Sequence, residues 1–116
     1  MKTIKKIIGQ FYENKAITFL KNKKYIFIDK NIYIGHKEID ILCIDKNNNE
    51  NVIVEVKYKN IFLKDLSCFI NLYNKKKFLS EIINSQVLER KYNLQGFWRI
   101  DCVFFCNDGV EHLINI

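Results

Sequence analysis

Apolar residues recur along this chain with two periods, and the places where the period changes mark its elements. Over residues 3–21 the positions Ile4, Ile7, Ile8, Phe11, Ala16, Ile17 and Leu20 fall at helical spacing, which predicts an amphipathic helix laying an apolar stripe on a sheet. Residues 25–34 are instead rich in aromatic and β-branched side chains and read as a strand interrupted near Asp29-Lys30-Asn31. Residues 39–45 and 52–58 are two further strands. The polar, turn-forming segment Lys46-Asn47-Asn48-Asn49-Glu50-Asn51 between them predicts antiparallel neighbours. Residues 61–72 fit either a loop with a short helix or the start of the next helix. Helical spacing returns over residues 75–92 through Phe78, Leu79, Ile82, Ile83, Val87 and Leu88, and Asn93-Leu94-Gln95-Gly96 ends it. Residues 97–106 and 110–116 close the chain as two strands joined at Asn107-Asp108-Gly109, an Asp-Gly hairpin signal.

Helix, three strands, helix and two strands predict one α/β domain, a central mixed β-sheet flanked by helices. The pairing is mixed because two short hairpin links impose antiparallel neighbours. A chain of 116 residues supports a single core, and the 48% hydrophobic share argues against disorder. No apolar run approaches the ~18 residues of a membrane span, and no signal-like apolar stretch follows Met1-Lys2-Thr3-Ile4-Lys5-Lys6. A cytoplasmic protein with no membrane partner is expected. Cys43, Cys68, Cys102 and Cys106 show no C-x-x-C spacing, so they read as reduced, buried thiols. Zinc would need His36 or His112 from separate segments and is not expected.

Candidate chemistry concentrates in the second and third strands. Residues two apart on a strand share a face, so Glu55 and Lys57 project together while Val54, Val56 and Tyr58 face the other way. If the hairpin centres between Asn48 and Asn49, Asp40 opposes Lys57 and Leu42 opposes Glu55, which gathers Asp40, Glu55 and Lys57 on one face. A slip of one residue would turn Asp40 away. Two adjacent carboxylates resist ionisation unless a cation sits between them. Their hard oxygens suit Mg2+, or Mn2+. Asp40 and Glu55 would then hold the ion, and Lys57 would orient or help deprotonate a water and offset charge growing on a phosphate. The same spacing also fits ordinary charges on a half-exposed strand. Glu13, off the centre of the first helix's stripe, is open to two readings, a third carboxylate at the site's edge or a solvated side chain.

Together, Gly35-His36-Lys37-Glu38-Ile39-Asp40-Ile41-Leu42, Val52-Ile53-Val54-Glu55-Val56-Lys57-Tyr58-Lys59, Arg99-Ile100-Asp101-Cys102-Val103 and Glu111-His112-Leu113 resemble the YraN family. This bacterial family is similar to the PD-(D/E)XK endonuclease superfamily and to archaeal Holliday-junction resolvases, and the likeness runs from about Gly9 to the last residue. The resemblance implies a restriction-endonuclease-like fold and a metal-dependent endonuclease acting on structured or branched DNA. It places the family's helical Glu on Glu13, its metal-binding Asp on Asp40 and its Glu-x-Lys on Glu55 and Lys57. Branched-DNA nucleases commonly act in pairs, so a homodimer is among the expectations. The rival readings are a nucleic-acid-binding module with hydrolysis weak or lost, and a protein-interaction subunit whose partner supplies the activity.

A net charge of +6 is compatible with nucleic acid, although the chain is crowded with Lys, Asn and Ile throughout. Lys59, Lys75, Lys76 and Lys77 near the proposed site are candidates to neutralise backbone phosphates without reading bases. Arg99 is a further candidate, its alternative and favoured role being an ion pair with Asp101 at the rim of the sheet. Trp98 and Tyr92 could stack on exposed bases, but residues of this kind in a small basic domain more often belong to the core.

Overall fold

A computed structural model describes residues 3–68 and 73–116, leaving aside the side chains of 68, 73 and 74. The first element is α1 (Ile4–Asn22), capped by Thr3, whose Oγ1 accepts the Lys6 N–H at 3.2 Å. Then come β1 (Tyr25–Ile34), β2 (Lys37–Asp45) and β3 (Glu50–Tyr58). A 3-10 turn (Leu63–Cys68), α2 (Tyr73–Ser85) and α3 (Val87–Tyr92) lead to β4 (Trp98–Cys106) and β5 (Gly109–Leu113). Residues 69–72, part of the segment with two sequence readings, lie outside the described residues.

The five strands form one mixed sheet in chain order, antiparallel throughout except for the parallel β3–β4 pair. A parallel pair needs a crossover, and the 3-10 turn, α2 and α3 supply it. Ala16 and Leu20 of α1 pack with Val52, Val54, Val103 and Phe105. Leu79, Ile82 and Leu88 pack with Leu42, Ile53 and Ile100. Val52 and Val54 alternate with Ile53 along β3, so helices cover both faces of the sheet. The middle strands are accordingly buried on both sides over residues 51–55 and 99–105.

Two expectations about the helices need correction. The first half of the α1 stripe does not face the sheet: Ile4 is 77% and Phe11 55% exposed, and Ile7 and Ile8 are exposed as well. The buried positions of the helix are Glu13, Ala16 and Leu20. The helix expected over residues 75–92 is in fact two, because Gln86 takes a left-handed φ of 61°. Beside this break the Ser85 hydroxyl donates to the Ile82 carbonyl at 2.6 Å and accepts the Val87 N–H at 3.4 Å, local bonds that compete with a continuous helix.

The sheet forks at one point. β2 pairs with β3 only from Asp45↔Glu50 to Ile41↔Val54, yet it continues along β1 to Lys37↔Ile34. β3 meanwhile follows β4 to Tyr58↔Phe105. The hairpin register is two residues from the one expected, with Leu42 opposite Ile53 rather than Glu55. A shift of two leaves every side chain on its face, but the ladder stops one step short of setting Asp40 level with Glu55. The β1–β2 pair also kinks there. Its register shifts between Phe27 and Asp29, and Asn31 adopts a left-handed φ of 52°.

Candidate functional site

A cleft of about 470 Å³ opens at the fork, lined among others by Glu13, Glu38, Asp40, Glu55, Lys57 and Lys75. Each side chain arrives from a different constraint. Past Ile41 the backbone of β3 loses its β2 partner, and the Val56 N–H donates instead to Asp40 Oδ2 at 2.9 Å. Asp40 therefore substitutes for a missing ladder bond. Glu13 reaches the site from α1. Asn31, its amide nitrogen turned toward the carboxylates, bridges Glu38 at 2.9 Å and Glu13 at 3.0 Å. The left-handed backbone that asparagine tolerates better than most residues aims it there.

Carboxylate oxygens of Glu13, Glu38 and Asp40 lie within 4.8 Å of one another, a separation at which a metal ion can be shared. Glu55 stands apart from that trio in the same cleft. It is 2% exposed, its Oε1 has no hydrogen-bond partner among the described residues, and its nearest cation is Lys75 Nζ at 3.9 Å. Lys75 spends its hydrogen bond on the Glu38 carbonyl, at 2.8 Å.

Burial, then the charges of Asp40 and Glu38, push the Glu13 carboxyl up to about 7. Burial, then Asp40, pushes Glu55 up to about 8. Burial also raises Asp40, against the pull of the Val56 N–H and of Lys75. Several acids are crowded where they cannot all ionise at neutral pH with the cations present. A divalent cation would relieve this, and hard carboxylate oxygens are the donor set that Mg2+ and Mn2+ take. The residues fit such an ion.

The structure thus brings Asp40, Glu55, Lys57 and Glu13 to one cleft, as expected from the sequence and its resemblance, and adds Glu38. Its signal was present: residues 38 and 40 are two apart on one strand. The expected phosphate contacts separate. Lys75 turns into the acidic centre, while Lys59, Lys76 and Lys77 are exposed and do not line the cleft.

Arg99 is no phosphate ligand, because its side chain is 4% exposed and fully engaged. It pairs with Asp45 at 2.8 Å, Asp101 at 3.0 Å and Glu50 at 3.1 Å, and it donates to the Tyr25 hydroxyl. Asp101 also meets His112 Nε2 at 2.8 Å and accepts the Asn115 N–H at 3.0 Å. Although burial opposes it, His112 and Arg99 hold the Asp101 carboxyl below its ordinary range. The expected ion pair is therefore interior rather than at the rim. Tyr92 and Trp98 are likewise structural, donating to Asp29 at 2.7 Å and Glu89 at 2.9 Å. Cys43, Cys102 and Cys106 are free thiols, and burial pushes Cys43 and Cys102 up to about 12.

No helix among the described residues is long and apolar enough to cross a membrane. Residues 12–105, which include every carboxylate of the cleft, match the Uncharacterised protein family UPF0102. A UPF0102 protein of Sulfurihydrogenibium is 33% identical over 110 residues, covering 92% of this chain and 90% of that protein. One of Aliarcobacter butzleri is 34% identical over 110 residues, 93% and 94% of the two chains. One of Fusobacterium nucleatum is 25% identical over 111 residues, 94% and 89%. The chain therefore belongs to the Uncharacterised protein family UPF0102, the YraN family that its motifs resemble.

Proposed function

We propose that this protein is a metal-dependent endonuclease of restriction-endonuclease-like, PD-(D/E)XK fold that hydrolyses phosphodiester bonds, with structured or branched DNA as its substrate. One observation carries the reading: a buried glutamate, Glu55, has an oxygen without a hydrogen-bond partner among the described residues and faces a cleft that also holds Asp40, Glu13, Glu38 and Lys57. A buried acceptor left unmatched costs free energy, and a cation ligand is the partner that such a carboxylate lacks.

Asp40 and Glu55 would hold Mg2+ or Mn2+, with Glu13 and Glu38 close enough to Asp40 to add oxygen donors. When bound, such an ion polarises a phosphoryl oxygen and makes water a nucleophile near neutral pH. Lys57 orients a water at the cleft wall and offsets negative charge as it gathers on the phosphate. Val56 fixes the Asp40 carboxylate through its N–H, and Asn31 does the same for Glu13 and Glu38. Lys5, at the same cleft, adds positive charge toward an incoming backbone.

Lys75 favours a second reading. Its ammonium already sits 3.9 Å from Glu55, so a lysine could neutralise the acid in a module that binds nucleic acid without cutting it. Cleavage of linear, flapped and four-way DNA in magnesium or manganese distinguishes the two. Hydrolysis that is lost in Asp40→Asn and Lys57→Ala supports the enzyme. Binding with no cut product from any substrate supports the module.

A further inference from the structure

Beside the acidic cleft lies a second groove, larger and of different chemistry, that none of the roles above uses. It encloses about 560 Å³, within the ~300–1,000 Å³ of pockets that accept small organic groups. Tyr12 and Tyr58 line both depressions, so the two are neighbours that share these rings. The floor of the groove is aromatic. Tyr12 of α1 and Tyr58 at the end of β3 stack with centroids 4.5 Å apart and 12° between planes, and the Phe105 ring is 5.1 Å from Tyr12. Tyr58 nevertheless remains 41% exposed. A ring held by a partner on one face and open to solvent elsewhere can extend its stack by another planar group.

The wall is cationic and polar. Lys15 carries its ammonium over the aromatic surface, 5.4 Å from the Phe11 centroid, 5.9 Å from Tyr12 and 5.6 Å from Phe105. Thr18 and Asn22, farther along α1, bring a hydroxyl and an amide to the same groove.

We propose that this groove is a binding site for an unpaired nucleobase, seated on Tyr58 while the phosphate beside it lies at the acidic cleft; this rests on the phosphodiester reading above. A base within a continuous duplex has both faces taken by its neighbours, whereas a single-stranded base offers a face to an aromatic platform. Charge sets the class of occupant. A lysine held over the Phe11, Tyr12 and Phe105 rings beside the Tyr12–Tyr58 stack suits a base flanked by phosphates better than a purely apolar guest. The groove thus narrows the substrate to strands with an unpaired stretch next to the cut, such as a flap, a gap or the open centre of a junction.

Binding is tested apart from cleavage, by anisotropy in EDTA. The probes are a fluorescein-labelled oligothymidylate about ten nucleotides long and a blunt duplex of similar length. The wild type is expected to prefer the single strand. Tyr58→Ala should weaken that binding by roughly 5- to 100-fold, the effect of losing one stacking ring, and Tyr58→Phe should stay within about twofold. Duplex binding should not change. Tyr58→Leu, which keeps apolar bulk against Tyr12 but not planarity, should match Tyr58→Ala and covers the case in which the alanine variant melts early. Equal wild-type affinity for the two probes, or unchanged single-strand affinity in a folded Tyr58→Ala or Tyr58→Leu, overturns the proposal. Because no divalent ion is present, failure of the hydrolytic reading leaves this measurement intact.

Discussion

Asp40 and Val56 are joined across the fork of the sheet: the Val56 N–H, left without a β2 backbone partner, donates to Asp40 Oδ2 at 2.9 Å. One carboxylate therefore closes a backbone bond and offers its charge to the cleft. The two roles come apart by substitution. Asp40→Asn keeps an acceptor for Val56, so in EDTA it should melt no lower than the wild type, but it should lack the rise in melting temperature that magnesium or manganese is expected to give the wild type. Asp40→Ala strands the Val56 N–H and should cost about 1–3 kcal/mol in urea denaturation.

The acidity of the site predicts the direction of its pH dependence. Glu55 holds its proton up to about 8 when folded, against an ordinary value of 4.5, and Glu13 is raised to about 7. Between these limits the folded chain retains protons that the unfolded chain has released. Stability without metal should therefore fall as pH rises through the window. Urea midpoints in EDTA at about pH 5 and about pH 9 should show the drop, and Glu55→Gln should remove much of it. Added magnesium, which favours the ionised acids, should oppose it.

Gly9 lies inside α1 and lines the cleft, and a Cβ built there meets nothing within 4 Å. Glycine in a helix interior costs about 1 kcal/mol relative to alanine. Gly9→Ala should gain up to about that much in stability while its methyl narrows the approach to Glu13. Lower cleavage from a more stable protein is the expected result. Unchanged kcat/KM would show that open space at residue 9 has no part in substrate entry.

Arg99 is predicted to act on folding alone. Removing one member of a buried charge network leaves the others uncompensated, so Arg99→Met should lose roughly 3–5 kcal/mol, read by denaturation. The fraction that remains folded should bind nucleic acid as the wild type does. Lys57→Ala should do the reverse, with little change in melting and a loss of cleavage.

Much of this was legible in the chain because strand periodicity survives errors of two. The hairpin register expected from the centre of the Asn-rich loop was displaced by that amount, yet Asp40 still meets Glu55 and Lys57 in one cleft. The interruption expected near Asp29-Lys30-Asn31 is the kink observed in β1. What stayed hidden has physical causes. Helical spacing finds an apolar stripe but not what covers it, so Ile4, Ile7, Ile8 and Phe11 read as core and lie exposed. Gln86 breaks a helix without glycine or proline to announce it. Glu13 had two readings from its place on the helix, and only the family resemblance favoured the cleft, because its partner there, Asn31, comes from another element.

The fork also means that the acids borne on strands belong to two separately anchored arms. Asn31, Glu38 and Asp40 ride on the β1–β2 arm, while Glu55 and Lys57 ride on the arm made by β3 and β4. The spacing between Asp40 and Glu55 is then a mechanical property of the crotch where Ile41 meets Val54, the buried apolar neighbours of the two acids. Enlarging or trimming either apolar side chain should spread or pinch the jaws and, if the proposed ion binds, change which ion radius fits, with every acidic residue retained.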